Sequence, residues 1–385
     1  LECYLDNSAT TRVKKEVADL TYKLMTQDYG NPSSMHLIGM KAENYVKEAR
    51  NQIAATLKAK PLEIIFTSGG TESNNLAIIQ AAFAKKRSGN HIITSKIEHP
   101  SVSNTMKYLE ENGFEVTYLD VDSQGKVLAS ELEKALRPDT ILVSIMHVNN
   151  EIGSLMPIDE FGKIIKNYNK NILFHVDAIQ SYGKYNIRPD RMGIDLLSVS
   201  GHKIHAPKGS GFLYKNEKVN FKPLIHGGGQ QEGYRSGTEN VPAIAGLGLA
   251  AKLMYDNLDE KTRNMRELRA FFIENMSATE GISINGPLNN DEAAPHIISV
   301  SFKGMRSEVM LHALEERGIY VSAGSACSSN KPAISKTLLA INLDKDLLDS
   351  TVRYSLNGDN NKEEIIYAIE NTKEIYAKYK KYMRH

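Results

Sequence analysis

Between residues 63 and 215 the sequence alternates between two kinds of segment. Short β-branched runs recur at Glu63–Thr67, His91–Thr94, Glu115–Leu119, Thr140–Val148, Ile172–Val176 and Leu196–Val199. Helix-like stretches separate them at Ser73–Lys86, Ser101–Asn112, Ala129–Leu136 and Asp159–Tyr168. Within 101–112, apolar residues fall at Val102, Met106 and Leu109, close to the helical period. This alternation admits few folds, because parallel strands need a crossover and a helix supplies it. The expectation is an α/β fold with a mainly parallel sheet covered on both faces. Ligands of such sheets bind beyond the carboxyl ends of the strands. Residues 241–278 read as one long or broken helix leading to a smaller α+β lobe. That lobe runs through strand Ile297–Phe302, helix Ser307–Arg317, strand Ile319–Ala323, a polar loop from Gly324, strand Ser350–Ser355 and a helix from Asn361.

The strand ends carry the chemistry. In "FTSGGTESNNLAI" a strand stops at Thr67, and Gly69-Gly70-Thr71 opens a helix. Free N–H groups at a helix start, approached closely past glycine, suit an anion. Taken alone, this stretch reads equally well as a capped turn with nothing bound. In "FHVDAIQS", Asp177 ends an apolar run, and a buried carboxylate calls for a cationic partner. Its simpler isolated reading is a cap of the next turn. Gln180, three residues on, faces the same space. In "SKIEHPSV", His99 follows a strand and precedes a helix, a position that lifts it above an ordinary loop histidine. In "LLSVSGHKIHAPKGSGFLYK", Lys203 sits at a small-residue corner beside Ser200 and His202. A single lysine is most simply a surface residue laid along its own stem. Four parts on one sheet edge argue otherwise. Pyridoxal phosphate requires a lysine for its aldehyde, a carboxylate for its ring nitrogen and an anion site for its phosphate.

Ordered stretches along nearly the whole chain resemble the NifS/IscS-like cysteine desulfurases of the class V aminotransferase branch. They are "LDNSATTRV", "GNPSSMH", "IIFTSGGTESNNLAI", "EHPSV", "MHVNNEIG", "HVDAIQSYGK", "SGHKIHAPKGSGFLY", "HGGGQQEGYRSGTEN", "SAGSACSS" and "VRYSL". The resemblance implies an aspartate-aminotransferase-like fold (pyridoxal phosphate fold type I) and conversion of L-cysteine to L-alanine. It implies Lys203 as the lysine bonded to the cofactor, Asp177 on the ring nitrogen, Gln180 on the ring hydroxyl and His99 stacked on the ring. Gly70, Thr71, Ser200 and His202 fall at the phosphate, with Thr238 reaching it from a second subunit. Asn31, Asn150 and Arg353 fall around the substrate carboxylate, where a guanidinium fork meets both oxygens. Cys327 matches the cysteine that accepts sulfur as a persulfide. The expected division is a large cofactor-binding domain over 15–260, and a small domain over 1–14 and 261–385 carrying the cysteine loop. Two departures stand out. Ala206 replaces a glycine common among relatives, and "SSNKPAISKTL" after Cys327 differs from the best-known housekeeping members, which bears on the sulfur acceptor.

Composition narrows the partners. The net charge is +1, and no long basic block favours nucleic acid. Cys3 and Cys327, the two cysteines, make neither a disulfide framework nor a usual zinc site. No metal is expected. A reducing, cytoplasmic setting follows, with no membrane segment or signal-peptide core. Most free cysteines are small buried hydrophobes, whereas "SAGSACSSNKPA" is polar and favours an accessible thiol. The expected partners are L-cysteine, a second copy of the chain, and a sulfur acceptor serving iron–sulfur assembly or thiolation. The rival readings are a selenocysteine lyase, a transaminase with no use for Cys327, and an idle relative acting as an assembly partner.

Overall fold

The computed structural model describes residues 1–323 and 334–380. A short strand, β1 (Cys3–Tyr4), precedes helices α1 (Lys15–Thr26) and α2 (Leu37–Leu57). The alternating region then forms β2 (Ile64–Thr67), α3 (Gly70–Lys85), β3 (His91–Ser95), α4 (Pro100–Glu111), β4 (Glu115–Leu119), β5 (Thr140–Met146), β6 (Leu173–Asp177), β7 (Leu196–Ser200) and β8 (Gly211–Lys215). These seven strands build one sheet in the order β2-β8-β7-β6-β5-β3-β4. The run β7-β6-β5-β3-β4 is parallel, whereas β8 lies antiparallel between β2 and β7. The link over 201–210 is too short for a crossover, so β8 can only return alongside β7. Alternate side chains face opposite layers. Phe66, Ile93, Val143, Phe174 and Leu197 pack in the core shared with α1 and α2. Ile65, Ile92, Leu142, Leu173 and Leu196 pack in the core shared with α3 and α4. Both faces being buried explains why the strands read as nearly continuous hydrophobic runs.

The expected long or broken helix is broken. It forms two helices, Val241–Tyr255 and Leu258–Ser277, separated where Asn257 adopts a left-handed φ of 61°. A smaller C-terminal domain follows, with strands β9 (Ile282–Asn285), β10 (Ile297–Phe302), β11 (Ile319–Tyr320), β12 (Ser322–Ala323) and β13 (Thr351–Ser355). Its antiparallel sheet has the order β12-β13-β10-β9, against which Ser307–Glu315 and Lys362–Lys380 pack. The run read as one strand over Ile319–Ala323 divides at Val321, because β11 pairs with β1 and β12 with β13. No helix among the described residues is long and apolar enough to cross a membrane.

Residues 3–11 join the two sheets. β1 lies parallel to β11, and Ser355 N–H donates to Leu5 O at 2.6 Å. Asn7 Nδ2 donates to Ser355 O at 2.9 Å, and Thr11 N–H reaches His202 O, just past β7, at 2.8 Å.

Close backbone approach fixes the corner where β7, β8 and α3 meet. A Cβ on Gly211 would lie 2.7 Å from both Gly69 Cα and Val199 O. Neither is a flexible side-chain end, so Gly211→Ala is expected to destabilise by about 1–3 kcal/mol through overpacking. The check is a lowered urea midpoint at unchanged slope; a midpoint equal to the parent's would show that the corner has room.

Candidate functional site

A cavity of about 340 Å³ opens at the carboxyl ends of β5, β6 and β7. Gly70, Thr71, His99, Asn150, Asp177, Gln180, Ser200, His202, Lys203 and Arg353 all line it, together with Ser8 and Ala9. Two of the residues named from the sequence are not gathered there. Asn31 is exposed, its Oδ1 accepting from Ser33 N–H at 3.0 Å. Thr238 lines a separate cavity of about 170 Å³ with Ser68, Gly209 and Arg235. Cys327 lies outside the described residues.

One wall begins at α3. The first-turn N–H groups of a helix have no intrahelical acceptor and attract negative charge. Gly70 keeps this wall low: a Cβ there would stand 2.2 Å from Ile179 Cδ1. Ser200 ends β7, and the 3-10 turn Gly201–Lys203 swings His202 and Lys203 to the same edge. Gly201 needs its smallness, since a Cβ would meet Ser210 Oγ at 2.4 Å. Burial, with Lys203 and Lys208 nearby, pushes the His202 imidazole down to about 4, so it is neutral at physiological pH.

Asp177 occupies the buried end of β6. Its Oδ1 accepts from Ile179 N–H at 3.0 Å and its Oδ2 from Asn74 Nδ2 at 2.8 Å. Burial raises its pKa, opposed by the Ile179 N–H, His99, Asn74 and Lys203. Asn74 gives a second hydrogen to Ser101 Oγ at 2.9 Å. The Ser101 hydroxyl in turn meets His99 Nδ1 at 2.8 Å, and Ser101 N–H donates to the same nitrogen at 3.1 Å. Since Nδ1 accepts, the neutral imidazole carries its proton on Nε2. Burial, the largest influence, lowers the His99 pKa and favours that neutral form. Asn74 and Ser101 were not singled out from the sequence. The available signal was an asparagine on the mainly apolar inner side of α3.

Lys203 Nζ donates to Ser8 O at 2.5 Å and to Ala9 O at 2.7 Å, so residues 8–9 close over the lysine. Arg353, on β13, reaches the cavity from the smaller sheet. It donates from Nη1 to Asn150 O at 2.8 Å and from Nη2 to Asp6 Oδ1 at 3.0 Å. Burial raises the Asp6 pKa against the pull of Arg353 and Lys203. Cys3 is unsuited to thiolate chemistry: it is buried, its Sγ meets Glu364 O, and its thiol is pushed up to about 12, chiefly by burial.

Residues 3–367 match the family model "Aminotransferase class-V". The chain belongs to the class-V aminotransferase family. It is 44% identical to "Cysteine desulfurase IscS" of Dictyoglomus turgidum, over 98% of this chain and 95% of that protein. The solved structure "NIFS-LIKE PROTEIN" superposes with a TM-score of 0.92 at 38% identity, covering 98% of this chain and 100% of the other. "SspA in complex with cysteine" superposes at 0.81 with 39% identity, covering 92% and 99%. These likenesses place the chain in the IscS/NifS-like branch, with the fold expected from its motifs. Members of this family are pyridoxal phosphate enzymes, and the cavity fits that group. Gly70 leaves space against Ile179, the buried Asp177 carboxylate suits a ring N–H, and the hydroxyls of Thr71 and Ser200 flank the α3 N-terminus. Among the described residues, no set of three or more His, Cys, Asp or Glu converges to hold a metal.

One further acid lies behind this site. Glu98 is buried, and its Oε1 accepts from Ser95 Oγ at 2.6 Å and Met146 N–H at 3.0 Å. Its Oε2 has no partner among the described residues. Burial above all, with a smaller push from Asp177, raises its pKa from 4.5 to about 8. A carboxyl raised on folding contributes stability that is complete below about pH 4 and is lost as pH climbs to about 8. Glu98→Gln keeps the accepting oxygen and removes the titration. Between pH 5 and 8 the urea midpoint of the parent is therefore expected to fall relative to that of E98Q; a constant difference would contradict the assignment.

Proposed function

We propose that this chain is a pyridoxal phosphate-dependent cysteine desulfurase. The observation that carries the reading is the convergence of Lys203, Asp177 and the Gly70–Thr71 turn on one cavity, with Arg353 at its edge. The 44% identity to a protein named cysteine desulfurase supports it. In this reading Thr71, Ser200, His202 and the N–H groups around Gly70 hold the phosphate. Asp177 keeps a proton on the ring nitrogen, Gln180 meets the ring hydroxyl and His99 covers the ring face. When bound, the cofactor supplies an electron sink for the pair left behind as a Cα proton departs. Arg353 and Asn150 orient the carboxylate of L-cysteine. Lys203 Nζ takes the Cα proton and later returns one, and His99 Nε2–H serves as a proton donor beside the substrate sulfur.

The Cys327 thiolate then attacks that sulfur. The substrate C–S bond breaks and an S–S bond forms, so L-cysteine and Cys327–SH become L-alanine and Cys327–S–SH. Carbon is reduced, the transferred sulfur is oxidised, and no outside oxidant enters. The reading extends to a cytoplasmic homodimer that passes sulfur to an iron–sulfur scaffold or a thiolation protein. Thr238 lines a cavity apart from its own chain's site, which suits a residue that completes the phosphate site of a second copy.

The test is peptide mass mapping of persulfide after incubation with L-cysteine, alongside alanine yield. Cys327→Ala is expected to bind cofactor and cysteine yet form alanine only at the level of a no-enzyme control. Cys3→Ala should match the parent. Full turnover by C327A, or persulfide on Cys3, would sink the proposal. Cleavage of selenocysteine alone by the parent would transfer it to a selenocysteine lyase.

A further inference from the structure

His296 immediately precedes β10 in the smaller sheet, and Leu356 N–H fixes its backbone by donating to its carbonyl at 2.8 Å. Only 1% of its surface is exposed. Its Nε2 stands 3.3 Å from Gln180 Oε1. The other face of the same amide is also engaged: Gln180 Nε2 donates to Ser8 O at 3.0 Å. We propose that His296 is a positioning residue that clamps the Gln180 side chain so that its nitrogen, and not its oxygen, is presented to the cavity.

The orientation of an amide is fixed by its partners. A backbone carbonyl only accepts, so Ser8 O requires the Gln180 NH₂ group beside it. Oε1 is thereby turned to His296 and can only accept there. His296 must then carry its hydrogen on Nε2. Burial above all, with the positive charges of Lys184, Arg353, Arg269 and Lys203, acts against protonation of this imidazole. A neutral ring holding its hydrogen on Nε2 leaves Nδ1 bare, and Nδ1 has no partner among the described residues. One Gln180 hydrogen is used at Ser8, and the residue lines the cavity. A ligand oxygen lying against Gln180 therefore meets a donor. Under the cofactor reading above, on which this inference rests, that oxygen is the ring hydroxyl, held as an acceptor in its deprotonated form. Without His296 the amide would lose its Oε1 partner and swing about the Ser8 bond, and the donor would no longer be aimed.

The first arm of the test uses the unsubstituted protein without added cofactor. Side-chain ¹H–¹⁵N correlation with selectively labelled histidine should show His296 neutral with its hydrogen on Nε2 across pH 6–8. A hydrogen on Nδ1, or an imidazolium, overturns the clamp. The second arm measures equilibrium binding of pyridoxal phosphate. His296→Leu removes the donor and should weaken binding about tenfold, the scale of one lost hydrogen bond. His296→Gln supplies a nitrogen near the position of Nε2 and should restore most of the affinity. Parent-like binding by H296L, or H296Q binding as weakly as H296L, would overturn the proposal. If the parent bound no pyridoxal phosphate, the cofactor reading would fall, and the resonance arm would by itself decide the orientation of Gln180.

Discussion

Asp177 holds a carboxylate at the buried end of β6, and a charge in that position survives only with donors around it. The protein supplies two from its own chain, the Ile179 N–H and the Asn74 amide. Because Asn74 shares its second hydrogen with Ser101, and Ser101 faces His99, the acid and the imidazole belong to one network. The parallel sheet makes this possible. β6 delivers Asp177, β7 delivers Ser200 and the turn bearing Lys203, and the segment after β3 delivers His99, all at one edge. Such a network holds its members in fixed protonation states and orientations as long as each remains paired.

The second sheet contributes through contacts aimed at the same edge. Arg353 leaves β13 to meet Asn150 from the turn after β5 and Asp6 from the N-terminal segment. His296, before β10, meets Gln180. Residues 3–11 lie between these elements, pairing with β11 and Ser355 on one side and with Lys203 and His202 on the other. The cavity is thus bounded by the backbone of Ser8 and Ala9 over Lys203 and by the Arg353 guanidinium.

Much of this was legible before the structure. Strands fully buried on both faces appear as unbroken β-branched runs, so their ends, and with them Lys203, Asp177, His99 and Gly70, could be located by inspection. Direction is not written in such a run: β8 reads like its neighbours, and only the short link after β7 distinguishes it. Helix α2 was not anticipated because its inner face uses Ala42, Ala49 and Ala54 beside Val46 and Ile53, while Leu37, Ile38 and Met40 lie outward and blur the stripe. The supporting residues were harder still. Ser8 binds Gln180 across 172 positions and His296 binds it across 116, and no periodicity marks such pairs. Asn31 and Thr238 came from the family resemblance, and both lie apart from the cavity of the single chain.

The placement of residues 3–11 has a consequence for the order of events during synthesis. This segment leaves the ribosome long before its partner Ser355, which lies 348 positions downstream of Asn7. The large sheet contains its own core and can begin to pack while translation continues. The strap over Lys203 has to wait, because the strands that anchor it, β11 and β13, are made only after every strand of the large sheet. Closing a loop of that length late is slow compared with local pairing. A nascent chain with its large sheet assembled would therefore hold the lysine corner without its Ser8–Ala9 cover, and the reactive pocket would be completed only once the smaller sheet had been made.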